Sequence, residues 1–233
     1  MTSPVILAVD TSDFDMARSW IEATRESIDI YKFGLEFYLT FGSKGLETIQ
    51  QESGASIFLD LKLHDIPNTV KKAAGAVDKL HPRFLTVHAS GGRAMVAAAV
   101  EAVTETSITA VTVLTSLSDA DLGDLGFAHS TLPTAVSMAQ VAASAGARSI
   151  VCSPHEIAAI RAVVESSIEI ITPGVRPSDE VGGDDQVRTM TPAQAINLGA
   201  NFLVIGRPIT SRWVQGPAAM ASRAAEIVAS IHS

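Results

Sequence analysis

The sequence predicts an α/β protein built as a single (β/α)8 TIM barrel, on three observations. Eight short apolar or β-branched runs recur along the chain and alternate with Ala-rich stretches whose apolar residues return every three or four positions. The repeat is about 29 residues when 233 are shared among eight units, a normal length for one βα unit. No linker, low-complexity tract or shift of composition divides the chain, so one domain over residues 1–233 is expected. An open, doubly wound parallel sheet is the second choice.

In chain order, the first strand is VILAV (5–9), stopped by Asp10 and followed by the helical pattern FDMARSWIEATRE (14–26). IDIYKFG (28–34) is the second strand and SIFLDL (56–61) the third, the latter leading to the helix VKKAAGAVDKL (70–80). RFLTVHA (83–89) precedes GRAMVAAAVEAV (92–103), and ITAVTVL (108–114) precedes TAVSMAQVAASAG (134–146). RSIVCS (148–153) runs into HEIAAIRAVV (155–164). IEIIT (168–172) and FLVIG (202–206) are the last two strands, and AAMASRAAEIVASI (218–231) closes the chain.

Composition narrows the function. Hydrophobic residues are 47% and charged residues 18%, enough for a large core and against disorder. A net charge of -8 argues against a nucleic-acid or anionic-membrane binder, yet a few local Arg and Lys residues suffice for one small anion. The single cysteine, Cys152, excludes an intrachain disulfide and a Cys-rich zinc site; in SIVCSP it reads as a small core residue near a strand end. MTSPVILAVD has no basic leader before Asp10, and no apolar run reaches membrane-spanning length, so a cytoplasmic protein is expected.

Active sites in barrels of this kind sit at the C-terminal ends of the strands. There the sequence places Asp10, Lys32, Asp60 with Lys62, His88, Thr115 with Ser116, Thr172 with Pro173, and Gly206 with Arg207. The stretch FLDLKLHDIPNTV (58–70) is the most unusual. Alternation in a strand sets Phe58, Asp60 and Lys62 on one face and Leu59 and Leu61 on the other. Charges among such residues are rarely buried unless paired or used. Separately, each has a bland account: Asp65 before Ile66 and Pro67 could cap a helix, Asp10 could start a loop, and Lys32 could snorkel from a strand end.

FLDLKLHDIPNTV resembles the signature of the orotidine 5′-phosphate decarboxylase family, D-x-K-x-x-D followed by I-P-N-T. The likeness spans the whole chain through AVD, YKFG, VHASGG, VTVLTSL, TPGVRP and VIGRPIT. D-x-K-x-x-D is shared with related sugar-phosphate enzymes; joined to I-P-N-T and G-R-P-I-T it is highly specific. Leu63 departs from the aromatic residue frequent there, which touches packing rather than chemistry.

The resemblance implies decarboxylation of orotidine 5′-phosphate (OMP) to UMP and CO2, the last step of de novo UMP synthesis, without cofactor or metal. Losing CO2 from C6 leaves an electron pair in the ring plane, so the protein itself must supply the stabilising charge. On the family pattern Lys62 stabilises and protonates the C6 carbanion, a task suited to a compact ammonium. Asp60 would face the departing carboxylate and keep Lys62 charged. Lys32 and Asp65 would complete an alternating network, with Asp65, Ile66 and Thr69 contributed across a homodimer interface. Asp10, Lys32 and the neighbour's Asp65 would hold the ribose, and Thr115 and Ser116 would face the pyrimidine.

The segment 173–190, rich in Gly and Pro, is longer than ordinary loops and reads as a lid beginning at Pro173. Gln186 and Arg176 in it, with the backbone of Gly206 and the guanidinium of Arg207, would take the phosphate. GSKG (42–45) lacks P-loop spacing, no H-E-x-x-H occurs, and His64 and His88 read as structural. Two other functions compete: a Mg²⁺-dependent sugar-phosphate decarboxylase or synthase sharing D-x-K-x-x-D, and a non-catalytic nucleotide-binding barrel.

Overall fold

Parallel strands covered on both faces need apolar residues at nearly every position, and the eight runs meet that demand. The computed structural model describes residues 2–177 and 190–231. Its strands are β1 (Val5–Ala8), β2 (Ile30–Phe33), β3 (Ser56–Leu63), β4 (Phe84–His88), β5 (Ser107–Val111), β6 (Ser149–Val151), β7 (Glu169–Pro173) and β8 (Phe202–Ile205). They close in chain order, with Ile6 of β1 paired to Ile30 of β2 on one side and to Val204 of β8 on the other. The closed barrel replaces the open-sheet alternative. β5 stops at Val111, three residues short of the expected end; just beyond it the backbone N–H and the hydroxyl of Thr112 both donate to the carbonyl oxygen of Val151 in β6.

Helices ring the barrel: α1 (Phe14–Thr24), α2 (Leu35–Ser53), α3 (Pro67–Asp78), α4 (Gly92–Val100), α5 (Asp119–Asp124), α6 (Thr131–Ser144), α7 (Ile157–Arg161), α8 (Pro192–Asn197), α9 (Arg207–Thr210) and α10 (Pro217–Ala229). Asp13 caps α1 by accepting from the Met16 N–H at 2.9 Å, the usual use of an acid before a helix. GSKG lies inside α2, where Gly42 takes φ 64 and ψ -162 and kinks the helix, a bend a side chain at that position would resist. The kink lets Phe41 join Phe14 and Phe37, with ring centroids 5.3 and 4.8 Å away. At α3 the N-cap is Ile66, with Pro67 in the first turn, so Asp65 is one residue too early to be the cap.

Inside the barrel, Ile6, Ile30, Phe58, Phe84, Ile171 and Phe202 form an apolar floor. Phe84 meets Phe58 and Phe202 edge-on at 5.5 and 5.7 Å. The Arg83 guanidinium lies 5.0 and 4.8 Å from the Phe84 and Phe202 rings and pairs with Glu169 at 3.4 Å, sealing that end. Alternation then brings the next inward residues above the floor: Ala8 beside Lys32, followed by Asp60 and Thr86. Lys32 and Asp60 thus open a charged layer directly above the apolar floor.

β3 departs from regular pleating where the charges begin. Leu59 pairs with Leu85 and Leu63 with Val87, so β3 leaves the register in a bulge over residues 60–62. Within the bulge Lys62 adopts φ 51, in the left-handed region. That conformation costs a non-glycine residue on the order of 1–2 kcal/mol.

Candidate active site

The floor and the strand ends enclose a cavity of about 380 Å³ at the C-terminal mouth of the barrel. Nine of the residues expected at a site line it: Asp10, Lys32, Asp60, Lys62, Thr115, Pro173, Arg176, Gly206 and Arg207. Strands β1 to β3 supply a charged wall. Across the barrel, Val111, Val113, Val151 and Cys152 supply an apolar one. A ligand filling the cavity would therefore meet charge on one side and hydrocarbon on the other.

The charged wall is a chain of alternating sign. The Lys62 ammonium donates to both Asp60 oxygens, each at 2.8 Å. Lys32 stands 3.7 Å from Asp60 Oδ2 and donates to Asp10 Oδ1 at 3.1 Å. The side chains of Asp60 and Lys32 are only 13% and 12% exposed, whereas Lys62 is 33% and Asp10 64% exposed. Two largely covered ions of opposite charge are tolerable because each has its partner within contact. Neither needs an apolar isostere, and Lys62 is left open to the cavity.

Sequence alternation had missed one participant. Thr86 of β4 is fully buried; its hydroxyl accepts from the Lys62 backbone N–H at 2.8 Å and donates to Asp60 Oδ1 at 2.9 Å. The signal was present in FLTVH, where Phe84, Thr86 and His88 share the inward face.

The remaining residues fall elsewhere. Ser116 is exposed in the same turn as Thr115 but does not line the cavity. Asp65, Ile66 and Thr69 follow β3, are exposed, and do not line this chain's cavity. The Asp65 carboxylate accepts from the Ile66 N–H at 2.6 Å, and Ile66 is 66% exposed. Gln186 lies outside the described residues, as does most of the expected lid; the Arg176 N–H donates to the Met190 carbonyl at 3.0 Å, joining the two ends of that segment.

His88 is half-buried, its ring 5.4 Å from that of His64 and tilted against it by 49°. Burial lowers its pKa, and the nearby His64 and Lys62 lower it further, consistent with a neutral structural ring. Among the described residues, no group of three or more His, Cys, Asp or Glu side chains is arranged to hold a metal ion, and no helix is long and apolar enough to cross a membrane.

Cys152 is buried, 4.0 Å from the Thr172 hydroxyl, and burial followed by the charge of Glu156 pushes its thiol up to about 12. Alkylation by iodoacetamide at pH 8 is therefore expected to be at least roughly 10-fold slower in the native protein than in urea. Equal rates would show that the thiol is reached without unfolding.

The comparisons agree with this geometry. The family model for "Orotidine 5'-phosphate decarboxylase / HUMPS family" matches residues 3–221. A protein named orotidine 5′-phosphate decarboxylase from Thermobifida fusca (strain YX) is 48% identical over 227 residues, 97% of each chain. One of the same name from Sphingopyxis alaskensis is 46% identical over 211 residues, 90% of this chain and 93% of the other. The crystal structure of orotidine 5′-phosphate decarboxylase from Lactobacillus acidophilus superposes with a TM-score of 0.84 at 29% identity, covering 99% of this chain and 100% of that one.

Proposed function

As the chain belongs to the orotidine 5′-phosphate decarboxylase / HUMPS family, we propose that it is the carboxy-lyase that converts OMP to UMP and CO2 in UMP biosynthesis. The observation that carries the reading is the Lys62 ammonium, held at 2.8 Å from both oxygens of a partly buried Asp60 and open to the cavity. Such a pair is poor value as a fold stabiliser and well suited to a reaction that develops charge beside it.

In the proposed reaction the C6–carboxylate bond breaks, CO2 leaves, and its electron pair remains on C6 in the ring plane. The Lys62 ammonium stabilises that pair and donates a proton, forming the C6–H bond and leaving a neutral amine. Asp60, already anionic and nearly buried, disfavours a second carboxylate in the ground state; as CO2 departs that repulsion disappears. Repulsion and positioning of Lys62 both favour Asp60 at this place. The apolar wall of Val111, Val113 and Val151 offers surroundings better matched to neutral CO2 than to a carboxylate.

We assign Asp10 and Lys32 to the ribose hydroxyls and Thr115, with Ser116 of the same turn, to the pyrimidine edge. Arg176, Arg207, the Gly206 backbone and Gln186 are assigned to the phosphate, beside Pro173, with segment 173–190 as the lid. Closing on a remote dianion offsets the cost of crowding negative charge at the reacting end. We assign one catalytic domain to residues 1–233, no metal or cofactor, a cytoplasmic location, and a homodimer in which Asp65, Ile66 and Thr69 reach the partner's cavity. Nucleic acid and membrane are not partners in this reading.

Incubating the purified protein with OMP and excess EDTA, and following loss of the substrate's ultraviolet absorbance, tests the activity. Turnover undiminished by chelation is expected. Turnover only with added Mg²⁺ would favour a sugar-phosphate enzyme of the same family, and tight UMP binding without turnover a nucleotide-binding barrel.

A further inference from the structure

We infer that Thr86 is a positioning residue for the reaction, its hydroxyl fixing the Lys62 backbone and the Asp60 carboxylate to one buried point; this rests on the decarboxylase reading. Because Lys62 sits in the β3 bulge at φ 51, its N–H is turned out of the strand ladder. The Thr86 hydroxyl takes that N–H at 2.8 Å and donates its own hydrogen to Asp60 Oδ1 at 2.9 Å. The direction is forced, since an amide N–H only donates and an ionised carboxylate only accepts. Asp60 then receives the Lys62 ammonium at 2.8 Å on each oxygen, closing a ring from the lysine backbone back to its own side chain.

A lysine side chain has four carbon–carbon bonds about which it can turn, and the ring leaves few of those states open. Its anchor is fully buried, where hydrogen bonds are strong and no bulk water competes. Thr86 does not itself line the cavity, so it acts through Asp60 and Lys62 rather than on the ligand. When Lys62 surrenders its proton, the attraction between ammonium and carboxylate vanishes, but the Thr86 bonds to both remain. The pair thereby keeps its geometry through the step and is ready for reprotonation.

The test compares Thr86→Val, which keeps the branched shape and loses the hydroxyl, with Thr86→Ser, which keeps the hydroxyl. In Thr86→Val, kcat is expected to fall roughly 10- to 100-fold, the penalty of a small misplacement, with KM and UMP affinity within about threefold of the parent. Thr86→Ser should stay within about threefold of the parent kcat. In an Asp60→Ala background the same Thr86→Val change should cost at least about threefold less than in the parent, because one of the two groups it acts through is gone. UMP binding reports the folded fraction of every variant, and Thr86→Ala carries the comparison where the valine variant is unstable.

Equal losses in the valine and serine variants would overturn the inference in favour of packing. So would an unchanged kcat in Thr86→Val, or a loss confined to KM. An unmodified protein with no activity on OMP would instead remove the decarboxylase reading, an outcome separate from any of these.

Discussion

Lys62→Ala is expected to lower kcat on OMP by at least about 10³-fold while UMP still binds. The size follows from what the ammonium does twice. In the proposed reaction it lies against the developing carbanion and is the proton source for C6. Removing it deletes an electrostatic and an acid–base contribution together, in a cavity where Asp60 is only 13% exposed and charge is weakly screened. Binding should survive because ribose and phosphate are assigned to other groups: Asp10, Lys32, Arg176 and Arg207. Lys62→Arg should not restore the rate, since a guanidinium is bulkier and holds its proton too tightly to give it to carbon. Steady-state kinetics with UMP calorimetry measures both parts. A near-parental kcat in Lys62→Ala would take the proton-donor role away from this residue.

The second large effect is a gain rather than a loss. Lys62→Ala and Asp65→Ala chains, each nearly inactive alone, are expected to recover about a quarter of the parental activity when unfolded together and refolded at equal amounts. Random pairing makes half of the dimers hybrids. If Asp65 serves the partner's cavity, one site of each hybrid combines an intact Lys62 from one chain with an intact Asp65 from the other. Were Asp65 to serve its own chain, neither hybrid site would be whole and the mixture would stay inactive. The geometry that motivates the test is an acidic side chain outside its own chain's cavity, next to an apolar Ile66 that is 66% exposed. Activity measured on isolated hybrids, separated by two different tags, decides the matter.

Much of the fold was legible because barrel strands are buried on both faces and must be apolar whatever else they do. Runs such as VILAV and FLVIG admit no other use between helical patterns, and all eight became strands. Helix α2 was harder to read, since GSKG breaks its periodicity; Gly42 bends the helix and both halves still pack through Phe37 and Ile49. The cavity was legible for a related reason. Asp10, Lys32, Asp60 and Lys62 are charges at the ends of apolar strands, and the barrel rule says which end they occupy.

Less legible was how Lys62 gets to Asp60. Period-two alternation put both on one face, and both do line the cavity, but a regular pleat is not what brings them together. A bulge and a left-handed backbone at Lys62 do so, held by Thr86 from the next strand. No pattern within residues 58–70 encodes a conformation whose cost is met by a residue 24 positions later. Asp65 is a similar case: local sequence suggested a helix cap, and the helix starts one residue on, at Ile66.

By itself, then, the sequence determined the barrel and the charged end of it, because apolar periodicity and strand-end polarity are local properties; the chemistry proposed for those charges came from the resemblance carried by FLDLKLHDIPNTV. Only the tertiary structure decided which charges touch, that Lys32 bridges Asp10 and Asp60, and that one buried hydroxyl joins the backbone of Lys62 to its counter-ion. Those are contacts between strands, set by register and closure, and no single stretch of the chain contains them.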